Sequence, residues 1–385
     1  MRAELPANPF PPVNLSADDK RGILDNVDVL LDGALRQYEA HVFGNKGVVP
    51  SGIWKLAKTR NGVSVYRKRQ TALETNESPK VASALAVGSV PGSVDDMLLG
   101  SLGAHPKDMA AYTAVVSTHS CIRSEVLAPI LLPTRIRPEL SVVIKWMAFG
   151  SLWWTLNRVV TLRDFVVVEA TGSTINSMGE RVSYHIIQSI DVPGVPELVE
   201  FNMLRAFQFF GFLYRQVSPE HIDVFITCRV DPKGDIPAEL TMRMTLDGLI
   251  RAVTQTKRLA EVKKRTWLYR QHTKVLLDSS NDRSECGVCT KPLNSVLLTR
   301  RTCAVCHTIA CASCTDPQQV IDYENISFGR AALKKVVFCL RCLRTAHSLN
   351  GWDLAAAAAD EPNAIERSKT DTLSSSSGSS TPVVF

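Results

Sequence analysis

No run of 18 consecutive apolar residues occurs in the 385-residue chain, so no stretch of it reads as a membrane-spanning helix. The first residues, Met1 to Asn14, hold four prolines and no apolar core. A secretory signal is therefore not expected, and the protein is expected in a reducing, intracellular (cytoplasmic) compartment where disulfides do not persist. Neither charge sign dominates: 44 basic residues face 38 acidic ones, a net charge of +6 that names no partner by itself. A nucleic-acid partner is not expected. The chain also lacks Gly-x-x-x-x-Gly-Lys and His-Glu-x-x-His, which removes a phosphate-binding loop and a catalytic zinc helix. No Ser/His/Asp order stands out, and the chain reads as non-catalytic. Cysteine is scarce over most of the length: only Cys121 and Cys228 precede Cys286.

The other eight cysteines crowd into residues 286 to 342, all in Cys-x-x-Cys pairs: Cys286/Cys289, Cys303/Cys306, Cys311/Cys314 and Cys339/Cys342. A two-residue gap lets both thiolates of a tight turn reach one metal ion. Zinc takes four such ligands in a tetrahedron, so two pairs complete one site and four pairs make two. The segment has few large apolar residues, and metal binding must supply much of its folding free energy. Four thiolates leave no open coordination position, so both ions are expected to be structural. Spacing alone does not say which pairs share an ion. Four residues separate Cys306 from Cys311 and 24 separate Cys314 from Cys339, and sequential or interleaved pairing fits either loop.

The order Cys-x2-Cys, x13, Cys-x2-Cys-x4-Cys-x2-Cys, x24, Cys-x2-Cys resembles a FYVE-type zinc finger. A RING finger would need a Cys-x-His step that is absent. The FYVE resemblance implies a cross-brace, with pairs one and three on one ion and pairs two and four on the other. It also implies binding to phosphatidylinositol 3-phosphate on endosomal membranes, through a basic run around the third cysteine and an apolar loop before it. Here Arg300 and Arg301 precede Cys303, and Val296, Leu297 and Leu298 form the apolar loop. The family's paired histidines are missing, and Ala304 stands where an arginine follows the third cysteine. No Trp-x-x-Asp precedes Cys286. Val337-Phe338 precedes Cys339 without an arginine, although Lys334 and Lys335 are near. The zinc scaffold is matched and the headgroup site is incomplete. His307, next to a ligand, reads as a solvated loop residue because eight cysteines already fill both sites.

The chain ahead of the cysteine pairs reads as one larger unit. Ser16 to Asp19 is a capping-box start, followed by Ile23, Val27, Leu30, Ala34 and Tyr38 on one helix face. Asn61-Gly62 between apolar stretches marks a hairpin turn. Strands are expected at Val142–Trp146, Arg163–Val168, Val182–Ile186 and His221–Val230. In the last of these, Ile222, Val224, Ile226, Cys228 and Val230 share a face expected to be buried. The opposite face is expected to be mostly wet, with Phe225 the apolar exception. Cys228 reads as a small core residue. A long helix opens near Pro237 and carries Met242, Leu246, Leu249, Ile250 and Val253 as its apolar stripe. Its basic end, Lys257 to Arg270, reads first as a solvated face and second as an attraction to acidic membrane.

Trp146 with Arg163-Asp164-Phe165-Val166 and Glu169-Ala170-Thr171-Gly172 resembles the strand pair of START-type lipid-transfer domains. So does the end, from Tyr214-Arg215 through the His221 strand and Ile236-Pro237 into the helix. The fold class expected is α+β. A START-like helix-grip domain, a curved antiparallel sheet around a long C-terminal helix, spans 16–275. A linker follows at 276–285, a small zinc-stabilised FYVE-like domain at 286–345, and a disordered tail at 354–385. The resemblance implies a lipid or sterol held in a tunnel between sheet and helix. The expected protein is lipid-binding, with its finger contacting an acidic membrane surface, a phosphoinositide or a protein partner, and peripheral on endosomal membrane. The alternative is a regulatory adaptor with a structural finger and no lipid cargo.

Overall fold

The computed structural model describes residues 5–6, 8–69, 80–116, 121–150, 161–272, 284–293 and 300–359. The expected linker, apart from 284–285, and the tail from 360 onward lie outside them.

Chain order begins with helix α1 (Ala17–Glu39), strands β1 (Trp54–Arg60), β2 (Val63–Lys68) and β3 (Ala82–Pro91), and helices α2 (Val94–Ser101) and α3 (Pro106–Val115). Then come β4 (Cys121–Leu131), β5 (Ser141–Phe149), β6 (Leu162–Ile175), β7 (Arg181–Ser189), β8 (Met203–Arg205), β9 (Phe207–Ser218), β10 (His221–Asp231) and the 35-residue helix α4 (Ala238–His272). Ten strands form one sheet in the order β1-β2-β3-β10-β9-β7-β6-β5-β4, with the short β8 parallel to β6 and every other pairing antiparallel. This is the expected α+β, helix-grip class.

Local chemistry accounts for the boundaries. The Ser16 side chain accepts from the Asp19 amide, and the Asp19 carboxylate accepts from the Ser16 amide, so two otherwise orphaned donors at the start of α1 are satisfied. Asn61 (φ 53°) and Gly62 (φ 78°) take the left-handed conformations of a type I′ turn, which matches the twist of the β1–β2 hairpin.

Helix α4 lies across one face of the sheet. Leu246, Leu249, Ile250 and Val253 pack there on Ala84, Ala86, Phe212, Tyr214, Ile222, Val224, Ile226 and Cys228, with Met97 and Leu98 of α2 and Met109 of α3. The other face of β10 is wet at its ends, where His221 and Arg229 are exposed, and covered at its centre. Val27, Leu31, Ala34 and Tyr38 of α1 pack on Leu85, Tyr184, Leu213 and Phe225, and Thr227 is buried as well. Alternation in β10 thus reports a dry side and a side that is wet at its ends and covered by α1 at its centre. The stretch Arg163-Asp164-Phe165 is a structural tie: Asp164, fully buried, accepts from Trp146 Nε1 at 2.9 Å and from Arg205 Nη2 at 2.9 Å.

The remaining elements are β11 (Arg300–Thr302), β12 (Ile309–Cys311), the hairpin β13 (Thr315–Ser327) and β14 (Arg330–Cys339), and helices α5 (Leu340–Ser348) and α6 (Gly351–Ala359). Residues 354–359, expected in the tail, are helical in α6, and Leu354 and Ala355 are buried against Leu99, Leu102 and Ala260. Alanine is the best helix former, and a helix with one apolar side is worth burying.

The cysteine-rich part is docked on the larger unit. Leu259 and Val262 of α4 pack with Ile321 and Ala331 of the hairpin, and Leu268 packs with Val320, Val336 and Phe338. The middle of the basic end of α4 is therefore not a solvated face, while Arg258 and Arg270 stay exposed. Lys263 donates to the carbonyls of Leu99 and Leu102, both at 3.0 Å, and pairs with Asp108 at 2.8 Å. Lys264 pairs with Asp96 at 2.7 Å, and Arg258 donates to Gln319 at 2.7 Å.

Candidate functional site

The eight cysteines converge as two groups of four. Cys286, Cys289, Cys311 and Cys314 form one group, and Cys303, Cys306, Cys339 and Cys342 the other, with all sulfurs of a group within 4.8 Å of one another. This is the interleaved, cross-braced pairing. Zinc–sulfur bonds of about 2.3 Å in a tetrahedron place sulfurs about 3.8 Å apart. Cys289 Sγ to Cys311 Sγ is 3.9 Å and Cys306 Sγ to Cys339 Sγ is 3.7 Å, so the spacing fits the ion.

Backbone amides complete the case. The Cys311 amide donates to Cys286 Sγ at 3.3 Å and the Cys339 amide to Cys303 Sγ at 3.2 Å, contacts that favour thiolates. Without a cation four thiols this close cannot all ionise: burial and the neighbouring thiols push Cys314 up to about 12. Two structural zinc ions, one per group, fit the donor set. Each first-pair turn closes on a left-handed residue, Thr290 (φ 58°) after Cys289 and His307 (φ 57°) after Cys306. His307 is exposed and outside both groups.

The expected lipid-contact residues divide. Val296, Leu297 and Leu298 lie outside the described residues. Arg300 and Arg301 sit on β11. The Arg300 guanidinium donates twice to the Leu293 carbonyl, at 3.0 and 3.2 Å, so part of its donor set is spent on the finger's own backbone.

A second cluster, which the sequence did not single out, lies on the sheet beneath α2 and the loop that follows it. Lys145 of β5, Glu169 of β6 and His185 of β7 are all buried, at 1%, 8% and 5% exposure. They share the sheet face of Met147, Val167, Ile187 and Phe212, which joins the core that includes Met97 and Leu98 of α2. Lys145 Nζ donates to Glu169 Oε1 at 2.7 Å, and the loop between α2 and α3 closes over it at Gly103. Burial alone would push the Glu169 carboxyl up; the Lys145 ammonium and His185 outweigh it and hold it at about 2. His185 stacks on Phe212 with ring centroids 5.3 Å apart. Its Nε2 is 3.5 Å from Glu169 Oε1 and makes no hydrogen bond. The signal available in sequence was weak: Lys145 is the one charged residue of its strand, but Glu169 and His185 stand on strands with other polar residues.

An enclosed void between the sheet and α4 was expected. The side chains there form one continuous cluster. A cavity of about 350 Å³ lies on the opposite face, beneath the end of α1.

No known family profile matches the chain, and no curated protein matches it. Among solved structures the chain is similar to human STARD10 (15% identity over 63% of this chain and 84% of that one, TM-score 0.42). It is also similar to the human StAR-related lipid transfer protein 5 (13%, 63% and 98%, 0.40). A third is a STAR-related lipid transfer protein fragment from Xanthomonas axonopodis (15%, 54% and 98%, 0.39).

Proposed function

We propose that this chain is a non-catalytic lipid-binding protein whose sheet–α4 unit takes a lipid or sterol and whose finger contacts a membrane or a protein partner. One observation carries the first half: a charged pair and an imidazole nitrogen that makes no hydrogen bond, 3.5 Å from the same carboxylate, are buried on an otherwise apolar sheet face beneath α2 and the loop at Gly103. A buried polar atom without a partner costs free energy in the empty state, on the order of 1–3 kcal/mol. A ligand hydroxyl or headgroup oxygen reaching His185 Nε2 would recover it, while an acyl or ring portion lies against Met147, Val167 and Leu249. The finger's part is to bring that unit to an acidic, endosome-type surface, for which exposed Lys334 and Lys335 and the β11 arginines supply positive charge.

The second reading, a regulatory adaptor without lipid cargo, is favoured by the continuous packing between sheet and α4. Native mass spectrometry of the full chain separates the two. The expected spectrum carries two zinc ions and, on part of the population, one lipid mass. A zinc-loaded chain that carries no lipid, and acquires none from phosphatidylcholine–cholesterol vesicles, would leave the adaptor.

A further inference from the structure

The cavity beneath α1 has features that a packing defect lacks. The last turn of α1 widens into a π-helix (Ala40–Gly44), and the chain then reverses through two left-handed residues, Lys46 (φ 50°) and Gly47 (φ 76°). π-Turns and left-handed non-glycine residues are unfavourable and persist where the surrounding structure holds them, often at functional sites. The result is a half-open cavity of about 350 Å³, at the small end of the range of about 300–1,000 Å³ that holds small molecules. Its lining includes Tyr38, His41, Val42, Val87, Asp223 and Phe225.

Two polar atoms of that lining are buried with no hydrogen-bond partner: Tyr38 Oη, on a side chain from a residue only 2% exposed, and His41 Nδ1. Both rings flank Phe225, Tyr38 edge-on at 5.7 Å and His41 tilted at 5.6 Å. The one carboxylate of the inner wall, Asp223, is already paired, and Arg215, whose Nε makes no hydrogen bond, lies beside Tyr38. Asp223 is held by Arg215 at 2.9 Å, and Arg215 also holds Glu180 at 2.6 Å. Lys46 is exposed at the mouth. Burial pushes Tyr38 up to about 12 and holds His41 below its ordinary value, so both are neutral at pH 7.

We infer that this cavity is a second binding site, for a small uncharged ring compound whose hydroxyl bridges Tyr38 Oη and His41 Nδ1 while its ring lies against Phe225 and Val87. An uncharged ligand follows because the two polar atoms it meets, Tyr38 Oη and His41 Nδ1, are neutral and the carboxylate of the lining, Asp223, already has its partner. A hydroxyl follows from the need to donate to one atom and accept from the other. The site is on the sheet face opposite to α4 and is independent of lipid binding there.

The test is a fluorescence titration of the full chain with 2-naphthol, an uncharged hydroxylated ring. The protein is taken as purified and again after lipid extraction. One saturable site of equal affinity in both preparations is expected. Tyr38→Phe, which deletes an unpartnered hydroxyl and so keeps or raises the melting temperature, should weaken the probe about five- to tenfold. Val42→Trp should abolish binding by filling the space. 2-Naphthalenesulfonate should bind at least about tenfold more weakly than 2-naphthol, because its charge has no partner inside. Absence of saturable 2-naphthol binding would overturn the inference, whatever the lipid result. So would binding that is indifferent to Tyr38→Phe and Val42→Trp, or binding that appears only after lipid extraction, which would place the probe beneath α4.

Discussion

Replacing Lys145 with methionine removes the counter-charge of Glu169 and leaves the surroundings otherwise apolar. Held at about 2 against an ordinary 4.5, Glu169 gains roughly 3 kcal/mol of stability from its partners, at about 1.36 kcal/mol per pH unit. Removing one member of a buried pair costs about 3–5 kcal/mol by a separate route, since the other charge stays buried alone. Both routes give a loss of about 3 kcal/mol for Lys145→Met at pH 7. The sign with pH follows. In the wild type the folded-state value is depressed, so the contribution is present above about 4.5 and is lost as pH falls toward 2. In Lys145→Met burial raises the carboxyl above 4.5, with Tyr112 and His185 its remaining titratable neighbours. Its penalty is full at pH 7 and fades as pH falls and the group protonates. Urea unfolding of wild type, Lys145→Met, Glu169→Gln and the double variant between pH 7 and pH 4 measures this. The gap between wild type and Lys145→Met should narrow with falling pH, and the double variant should recover to within about 1 kcal/mol of wild type, as a neutralised pair does. A gap under about 0.5 kcal/mol, the size of an ordinary surface substitution, would refute the reasoning by showing that water reaches the pair. So would a gap that stays constant over that pH range.

Metal analysis should return two zinc ions per chain, with Cys286→Ser and Cys311→Ser losing the same ion and Cys303→Ser the other. Gly62→Ala should cost about 1–3 kcal/mol in urea unfolding, because its φ is 78° and a Cβ there would sit 2.5 Å from the Ser89 carbonyl oxygen. Liposome flotation of the full chain should show weak binding to any acidic vesicle, lost at high salt and with little preference for phosphatidylinositol 3-phosphate. The segment from Cys286 to Thr345 carries eight basic and three acidic residues but lacks the family's histidine pair and the arginine after the third cysteine. Each missing charged hydrogen bond is worth about 1.5–3 kcal/mol, so two losses cost about a hundredfold or more in affinity.

What the sequence made legible depended on how local the signal was. Cys-x-x-Cys is a local device repeated four times, and its resemblance to a cross-braced finger carried the pairing that spacing alone left open. The α1 capping box, the Asn61-Gly62 turn and the stripe on α4 are local as well, and all stand where the residues placed them. The basic end of α4 was not legible, because its partners Asp96 and Asp108 belong to α2 and α3, with all the strands from β4 to β10 between them and α4 in the chain. A lysine run on a helix carries no sign of what will cover it. Lys145, Glu169 and His185 failed for the same reason: three strands must pair in register before three isolated polar residues become one cluster. The wet face assigned to β10 holds at His221 and Arg229 and fails at Thr227, because period two does not show that α1 will cover the strand's centre.

Helix α4 joins these pieces into one thermodynamic unit. Its first half, Leu246 to Val253, is packed on the sheet. In its second half, Leu259, Val262 and Leu268 are packed on the β13–β14 hairpin and α5. The hairpin is anchored at one end by Cys314 and Cys339, which belong to different zinc groups. At the other end Gly329 accepts from Ser124 Oγ at 3.0 Å, and Phe328 lies under Arg123 at 3.7 Å. Both partners are on β4, the edge strand of the large sheet. The Ile321 amide donates to Thr266 of α4 at 2.9 Å between these two anchors. Zinc binds the ordered thiolates far better than the unfolded chain, so its binding free energy stabilises whatever is ordered with them. A helix clamped along its length by two cores cannot lose one clamp without loosening on the other. With zinc in the two cysteine groups, the position of α4 on the sheet is in this sense held partly from them.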